Sequence, residues 1–221
     1  MTEPGSTHDG IPAADFEETD RGAAERLTFF SDAVVAIAIT LLAIELQVPR
    51  GETAAELAAG FAADWGEYLA FLISFAVIAR HWMSHHRLFR YVGRADTGII
   101  WLNMLWLLLI VLTPFLTRFI SEEQVDFPRF AVYALAQTLQ TGTFAVLVLV
   151  LARTGAFIPG TPRHWLHRGW VASAVIGGAF LVSIPLFPLL GSWAFALWGV
   201  LPFLGGLVTD RLGITGKGVD A

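Results

Sequence analysis

Long apolar runs, separated by short segments rich in charge, Gly or Pro, repeat along the chain at about 27–48, 67–89, 97–120, 129–152, 168–188 and 191–210. Each is close to the roughly 20 residues with which an α-helix crosses about 30 Å of hydrocarbon. The pattern predicts an all-α integral membrane protein with six transmembrane helices. Pro185, Pro188 and Gly191 interrupt the last apolar stretch and mark either a tight turn or a kink. One bent span is too short for 168–210, so a hairpin turn on the outer side is the simpler expectation. After the first run, the acidic, amphipathic segment Glu52 to Asp64 predicts a short surface helix.

Composition strengthens this reading. The 221 residues are 55% hydrophobic and only 15% charged, with a mean hydropathy of +0.62, which suits a bilayer better than water. The net charge of −5 comes largely from Glu3, Asp9, Asp15, Glu17, Glu18 and Asp20. No Lys/Arg-rich stretch offers a nucleic-acid surface. The absence of cysteine excludes disulfides, thiolate metal sites and cysteine nucleophiles. Residues 1–25 are polar and acidic and lack the basic start of a signal peptide, so they are expected to form a disordered cytoplasmic tail and the first span to be retained. A six-span membrane domain is expected over 26–211 and a short cytoplasmic C-terminal tail over 212–221. No repeat relates the first three spans to the last three, so an inverted-repeat transporter architecture has no support.

Basic residues set the expected orientation. Arg21, Arg26, Arg87, Arg90, Arg94, Arg153, Arg163, Arg168, Arg211 and Lys217 fall on one side, and only Arg50, Arg118 and Arg129 on the other. The richer side is expected to be cytoplasmic and to hold both termini. Arg87, Arg90 and Arg94 have the spacing of a voltage-sensor helix, but they lie at the end of an apolar run, where a positive anchor is the simpler account.

The candidate chemistry begins in the first span, Arg26-Leu27-Thr28-Phe29-Phe30-Ser31-Asp32 and the apolar helix after it. An ionisable group just inside a membrane helix needs a partner or water. Ser31 and Asp32 can cap the helix, or Asp32 can meet groups from other spans at its depth. The candidates are His81, Trp82, His85 and His86 in the second span and Asn103 in the third, with Trp101 and Trp106 as interfacial or cluster residues. His81 and His85 also have the i, i+4 spacing of a two-histidine metal site, but no carboxylate pair completes a ligand set. No T-V-G-Y-G filter is present.

Several motifs now combine: Arg26-x-x-x-Phe30-Ser31-Asp32, Ala36-Ile37-Ala38-Ile39-Thr40-Leu41-Leu42, Glu45-Leu46-x-Val48-Pro49, Trp82-x-x-His85-His86-x-Leu88-Phe89, and Asn103 with Pro114-Phe115-x-Thr117. Together they resemble the bacterial branch of the transmembrane protein 175 family, over the first three spans. The latter half is similar only in hydropathy. The resemblance implies a passive, potassium-selective channel rather than an enzyme, a homotetramer in the bacterial inner membrane with the first helix around a central pore. It implies no cofactor, only the permeant potassium ion, with membrane lipid and further copies of the chain as partners.

Carried over residue by residue, the resemblance makes Ile37, Leu41 and Ile44 the apolar constriction and Thr40 the threonine layer beside it, where potassium passes. Helical spacing independently puts 37, 41 and 44 on one stripe with 40 beside it, which is also the pattern of ordinary helix packing. Arg26, Phe30, Ser31, Asp32, His85, His86 and Asn103 become a structural polar cluster. Glu45 can attract cations to the mouth or pair with Arg50. The competing reading is a proton- or cation-coupled secondary transporter that relays through Asp32 and the span-two histidines. A membrane enzyme acting through His81 and His85 is a third.

Overall fold

The computed structural model describes residues 13–121, 125–161, 163–201 and 204. Its helices are α1 (Ala13–Ile44), α2 (Ala54–Ala63), α3 (Trp65–Phe89), α4 (Thr97–Ser121), α5 (Phe127–Arg153) and α6 (Arg163–Leu190), followed by a 3-10 segment, Gly191–Ala196. Among the described residues the only extended pairing is a single bridge between Val92 and Phe157.

Four helical segments, Arg21–Ile44, Thr97–Ser121, Phe127–Arg153 and Ala172–Leu201, are each long and apolar enough to cross a membrane. The pair α2 and α3, bent by 62° where they meet, makes a fifth. The stretch Ala172–Leu201 is itself folded back. Trp198 Nε1 donates to Ser183 Oγ at 2.9 Å, although in a continuous helix 15 residues would separate them by about 22 Å. The reversal falls at Gly191, whose φ of 54° is open to glycine at little cost. Thus α6 runs through Pro185 and Pro188, and the chain turns just beyond them. The return segment is described to Leu201 and at Leu204; the rest of the expected sixth run, 191–210, and the expected C-terminal tail 212–221 lie outside the described residues.

The N-terminus differs from expectation. α1 starts at Ala13, so residues 13–25, expected in an unstructured tail, are helical; residues 1–12 lie outside the described residues. Helix formers such as Ala23, Ala24 and Glu25 continue the helix upstream of the apolar run. Ala24 and Leu27 bury themselves against Phe89, Ile99 and Leu151, which supplies the tertiary contact that a polar tail would lack.

The remaining ends follow local chemistry. Thr53 and Glu56 form a reciprocal capping box at α2. Asp96 Oδ1 accepts from the Ile99 N–H at 2.9 Å to start α4, and Asp126 Oδ1 from the Arg129 N–H at 3.0 Å to start α5. Gly93 donates to the Ala156 carbonyl at 2.8 Å, and Ile158 to that of Tyr91 at 2.9 Å, so the α3–α4 and α5–α6 loops are tied together.

Packing divides the chain into two halves joined by α4 and α5. α1, α3 and α4 form a triangle, and α6 with its return segment packs on α5. On α1, the buried positions Ala24, Leu27, Ser31, Val35, Ala38 and Leu42 recur every three or four residues, which is a single helical seam. In the second half, the Trp198 ring contacts Phe130, Tyr133 and Phe180 at centroid distances of 5.2, 5.2 and 4.9 Å. Trp198→Ala is expected to cost about 3–5 kcal/mol, as for large buried aromatics. Trp193→Ala, at a residue 80% exposed, should change stability by less than about 0.5 kcal/mol. Melting of the two purified variants checks the contrast; equal losses would place Trp198 outside the core.

Candidate functional site

Two adjacent residues of α1 reach two different neighbours. Successive side chains on a helix diverge by about 100°, so Ser31 points between α3 and α4 while Asp32 points along α3. The result is two parallel polar contacts at one depth.

The inner contact is fully buried. Asn103 Nδ2 donates to Ser31 Oγ at 2.9 Å, and Asn103 Oδ1 lies 2.9 Å from His85 Nε2. Ser31 Oγ donates its own proton to the Leu27 carbonyl at 2.7 Å. Because a carbonyl only accepts, this chain has one consistent direction: His85 Nε2–H to Asn103, Asn103 to Ser31, Ser31 to Leu27. That assignment, inferred from the bonds, makes His85 an Nε2–H tautomer. Its ring is stacked between Phe89 and Trp106, at 3.9 and 4.6 Å. Three helices are thereby joined by neutral groups, each interhelical bond contributing about 0.6 kcal/mol and at most about 1.7.

The outer contact is half-buried. Trp82 Nε1 donates to Asp32 Oδ1 at 2.9 Å, and His86 Nδ1 lies 3.8 Å from Asp32 Oδ2. The latter is an ion pair only when His86 is protonated. Trp82 and His86, four residues apart, face each other at 5.3 Å and cover the carboxylate from one side.

The cluster therefore brings together Ser31, Asp32, His85, His86 and Asn103, with Trp82 and Trp106. Arg26 and Phe30, expected with them, lie elsewhere. Arg26 Nε donates to the Gly22 carbonyl of its own helix at 3.2 Å, and Phe30 is 52% exposed. Both fall off the α1 seam. His81 is buried and faces Trp106 at 6.4 Å, and Trp101 is exposed away from the cluster. Among the described residues no group of three or more His, Asp or Glu is placed to hold a metal ion.

Ile37, Thr40, Leu41 and Ile44 all lie on the face of α1 opposite its packed seam and are exposed in the single chain. The Thr40 hydroxyl donates to the Ile37 carbonyl at 2.8 Å, which leaves its oxygen lone pairs outward. Glu45, just beyond α1, pairs with Arg118 of α4 at 3.0 Å and not with Arg50. Both groups are solvent-accessible, so the pair contributes little to stability.

A second polar layer, toward the other end of α3, escaped the sequence reading. Thr117 Oγ1 lies 2.7 Å from both the Thr113 carbonyl and Ser74 Oγ, and Ser74 Oγ lies 2.9 Å from the Tyr133 hydroxyl. It ties α3, α4 and α5. Lone hydroxyls inside apolar runs were its only signal, and such residues more often bond to their own helix.

A multi-span helical membrane protein, with its first helix braced by a polar cluster and its opposite face open, is the class that fold and site define. Residues 26–114, which contain the whole cluster, match the family model described as "Endosomal/lysosomal potassium channel TMEM175". The chain is 36% identical over 134 residues to a protein named potassium channel from Streptomyces collinus, covering 59% of this chain and 65% of that one. It is 37% identical over 139 residues to one so named from Chamaesiphon minutus, covering 62% and 65%. The matches thus span 65% of the length of these curated relatives. The fold matches the crystal structure of a lysosomal potassium-selective channel TMEM175 homolog from Chamaesiphon minutus, with a TM-score of 0.71 and 29% identity, over 86% of this chain and 99% of that one. Over residues 26–114 the chain is similar to the transmembrane protein 175 family, and the bacterial relatives it resembles are named potassium channels.

Asn103 holds partners on both sides. Asn103→Leu is expected to lower stability by about 1–3 kcal/mol, because it leaves the buried His85 Nε2–H unpaired and removes the donor to Ser31 Oγ, which keeps only its bond to the Leu27 carbonyl. Asp32→Asn, which keeps an acceptor for Trp82, should cost less. Thermal melts of the two variants in one detergent test the order, and a reversed order would make the outer contact the principal brace.

Proposed function

We propose that this chain is a passive, potassium-selective cation channel that assembles as a homotetramer in the bacterial cytoplasmic membrane, with both termini cytoplasmic and α1 around a central pore. The observation that carries the proposal is the asymmetry of α1. One face is packed and hydrogen-bonded against α3 and α4, and the other leaves Ile37, Thr40, Leu41 and Ile44 exposed among the described residues. The names of the relatives supply the ion.

Four copies of α1 around an axis place Ile37 in a narrow apolar ring, with Leu41 and Ile44 above it. Such a ring impedes ions by dewetting rather than by charge. Thr40 lies between these levels, and its outward lone pairs can take the place of part of the ion's hydration shell. The Ser31, Asp32, His85, His86 and Asn103 cluster does not meet the ion. It fixes the rotation of α1 about its own axis and so decides which residues face the pore.

The coupled-transporter reading fares less well on these contacts. The buried chain from His85 ends on the Leu27 carbonyl, which accepts a hydrogen bond but cannot pass a proton onward. Asp32 meets Trp82 and His86 instead.

The purified protein in planar bilayers with a potassium gradient is expected to show unitary currents that reverse near the potassium equilibrium potential. Slow, saturable, coupled flux without unitary events would favour the transporter. Ile37→Asn should raise conductance several-fold by wetting the ring. Unchanged currents from a well-assembled variant would remove position 37 from the constriction. Asp32→Ala is expected to reduce the yield of tetramer while leaving the ion preference of the assembled fraction intact, and intact tetramers with altered preference would contradict the brace.

A further inference from the structure

On the side of α3 turned away from the polar cluster, a cavity of about 820 Å³ lies between α3, α5, α6 and the return segment. Its walls are mainly apolar, with Ile73, Val77, Ile176, Phe180 and Trp198 among the lining side chains. Arg80 also lines it, and no described lining residue is acidic. Arg80 lies nine residues before Phe89, the last residue of α3, which is about 13 Å along the helix axis.

An arginine this far inside a span is costly unless water or an anion meets it. Arg80 is an exposed residue in the cavity lining, and its guanidinium has no hydrogen-bond or ion-pair partner among the described residues. Arg87, two turns further along the same face, is exposed too and adds a second positive charge in the direction of the span's end. The crevice thus combines unbalanced positive charge with room and apolar walls for a hydrocarbon chain. Neither a soluble anion nor a neutral lipid matches both features.

We propose that this cavity binds one anionic phospholipid, its phosphate on Arg80 and one acyl chain along Val77, Ile176 and Phe180. A guanidinium suits a phosphate because its planar donors can meet two oxygens at once. The lipid would occupy the space between α3, α5, α6 and the return segment.

The test uses the full-length protein, delipidated in detergent and titrated with phosphatidylglycerol or phosphatidylcholine of identical acyl chains, with bound lipid counted by native mass spectrometry. Phosphatidylglycerol is expected to bind about fivefold more tightly, in line with one basic side chain acting on an anionic lipid. Arg80→Gln should abolish that preference, and Arg80→Lys should retain most of it. Ala76→Trp, which fills the cavity from its lining, should weaken both lipids. Equal binding of the two lipids by the wild-type protein, or an undiminished preference in Arg80→Gln, overturns the proposal. So does displacement of phosphatidylglycerol by millimolar inorganic phosphate, which would make the ligand a soluble anion. The wild-type comparison and Ala76→Trp keep the test decisive even where Arg80→Gln fails to fold.

Discussion

The hydrogen-bonded chain from His85 through Asn103 to Ser31 is the contact on which the arrangement of α1, α3 and α4 depends. In a bilayer, apolar side chains gain little by leaving lipid for protein, so burial alone does not fix how one helix is rotated against another. Directional bonds between buried polar groups do. Ser31 can meet Asn103 in only one rotation of α1. The same rotation brings Val35, Ala38 and Leu42 onto Ile78, Trp106 and Ile110. The polar contact sets the register, and close packing above it follows.

The surroundings of that chain make it specific. His85 is held between two aromatic rings, so its plane is fixed before Asn103 is considered, and the low dielectric around it strengthens each bond while penalising any loss. The Ser74, Thr117 and Tyr133 layer repeats the device near the other end of α3 and extends it to α5. α3 and α4 are therefore pinned twice, at both ends of the first half of the protein. α1 is pinned in its middle, and beyond Asp32 it relies on packing, apart from the surface pair of Glu45 and Arg118.

Membrane spans were legible in the sequence because the hydrocarbon thickness imposes a length on every apolar run, and the turn at Gly191 was legible because few residues other than glycine take a positive φ. Asp32, Ser31, the histidines and Asn103 stood out because polar groups inside apolar runs are expensive. Long-range choices were less visible. Glu45 had a basic neighbour at Arg50, and only the folded chain brings Arg118 nearer. Arg26 and Phe30 belong to the same motif as Ser31 and Asp32, yet motif membership does not report helical phase: both lie off the buried seam. The helical turns just before the apolar run are less visible in the sequence because the burial of Ala24 and Leu27 depends on Phe89, Ile99 and Leu151, which come from other helices.

Under the proposed function, the division of α1 into a packed face and an open face accounts for a brace remote from the pore. In the proposed pore, the width of a constriction set by side chains such as Ile37 would change when the helix rotates by even part of the 100° between neighbouring residues. Rotation in one sense would bring Ala36 toward the axis and in the other Ala38, each much smaller than isoleucine. Lipid offers no gradient to oppose such a turn, because both faces are apolar. The restoring force must come from the other side of the helix, where Ser31 loses a buried hydrogen bond and Asp32 parts from Trp82 as soon as α1 turns. In the proposed channel, polar groups remote from the ion would in this way hold the dimension of a pore lined mainly by apolar side chains.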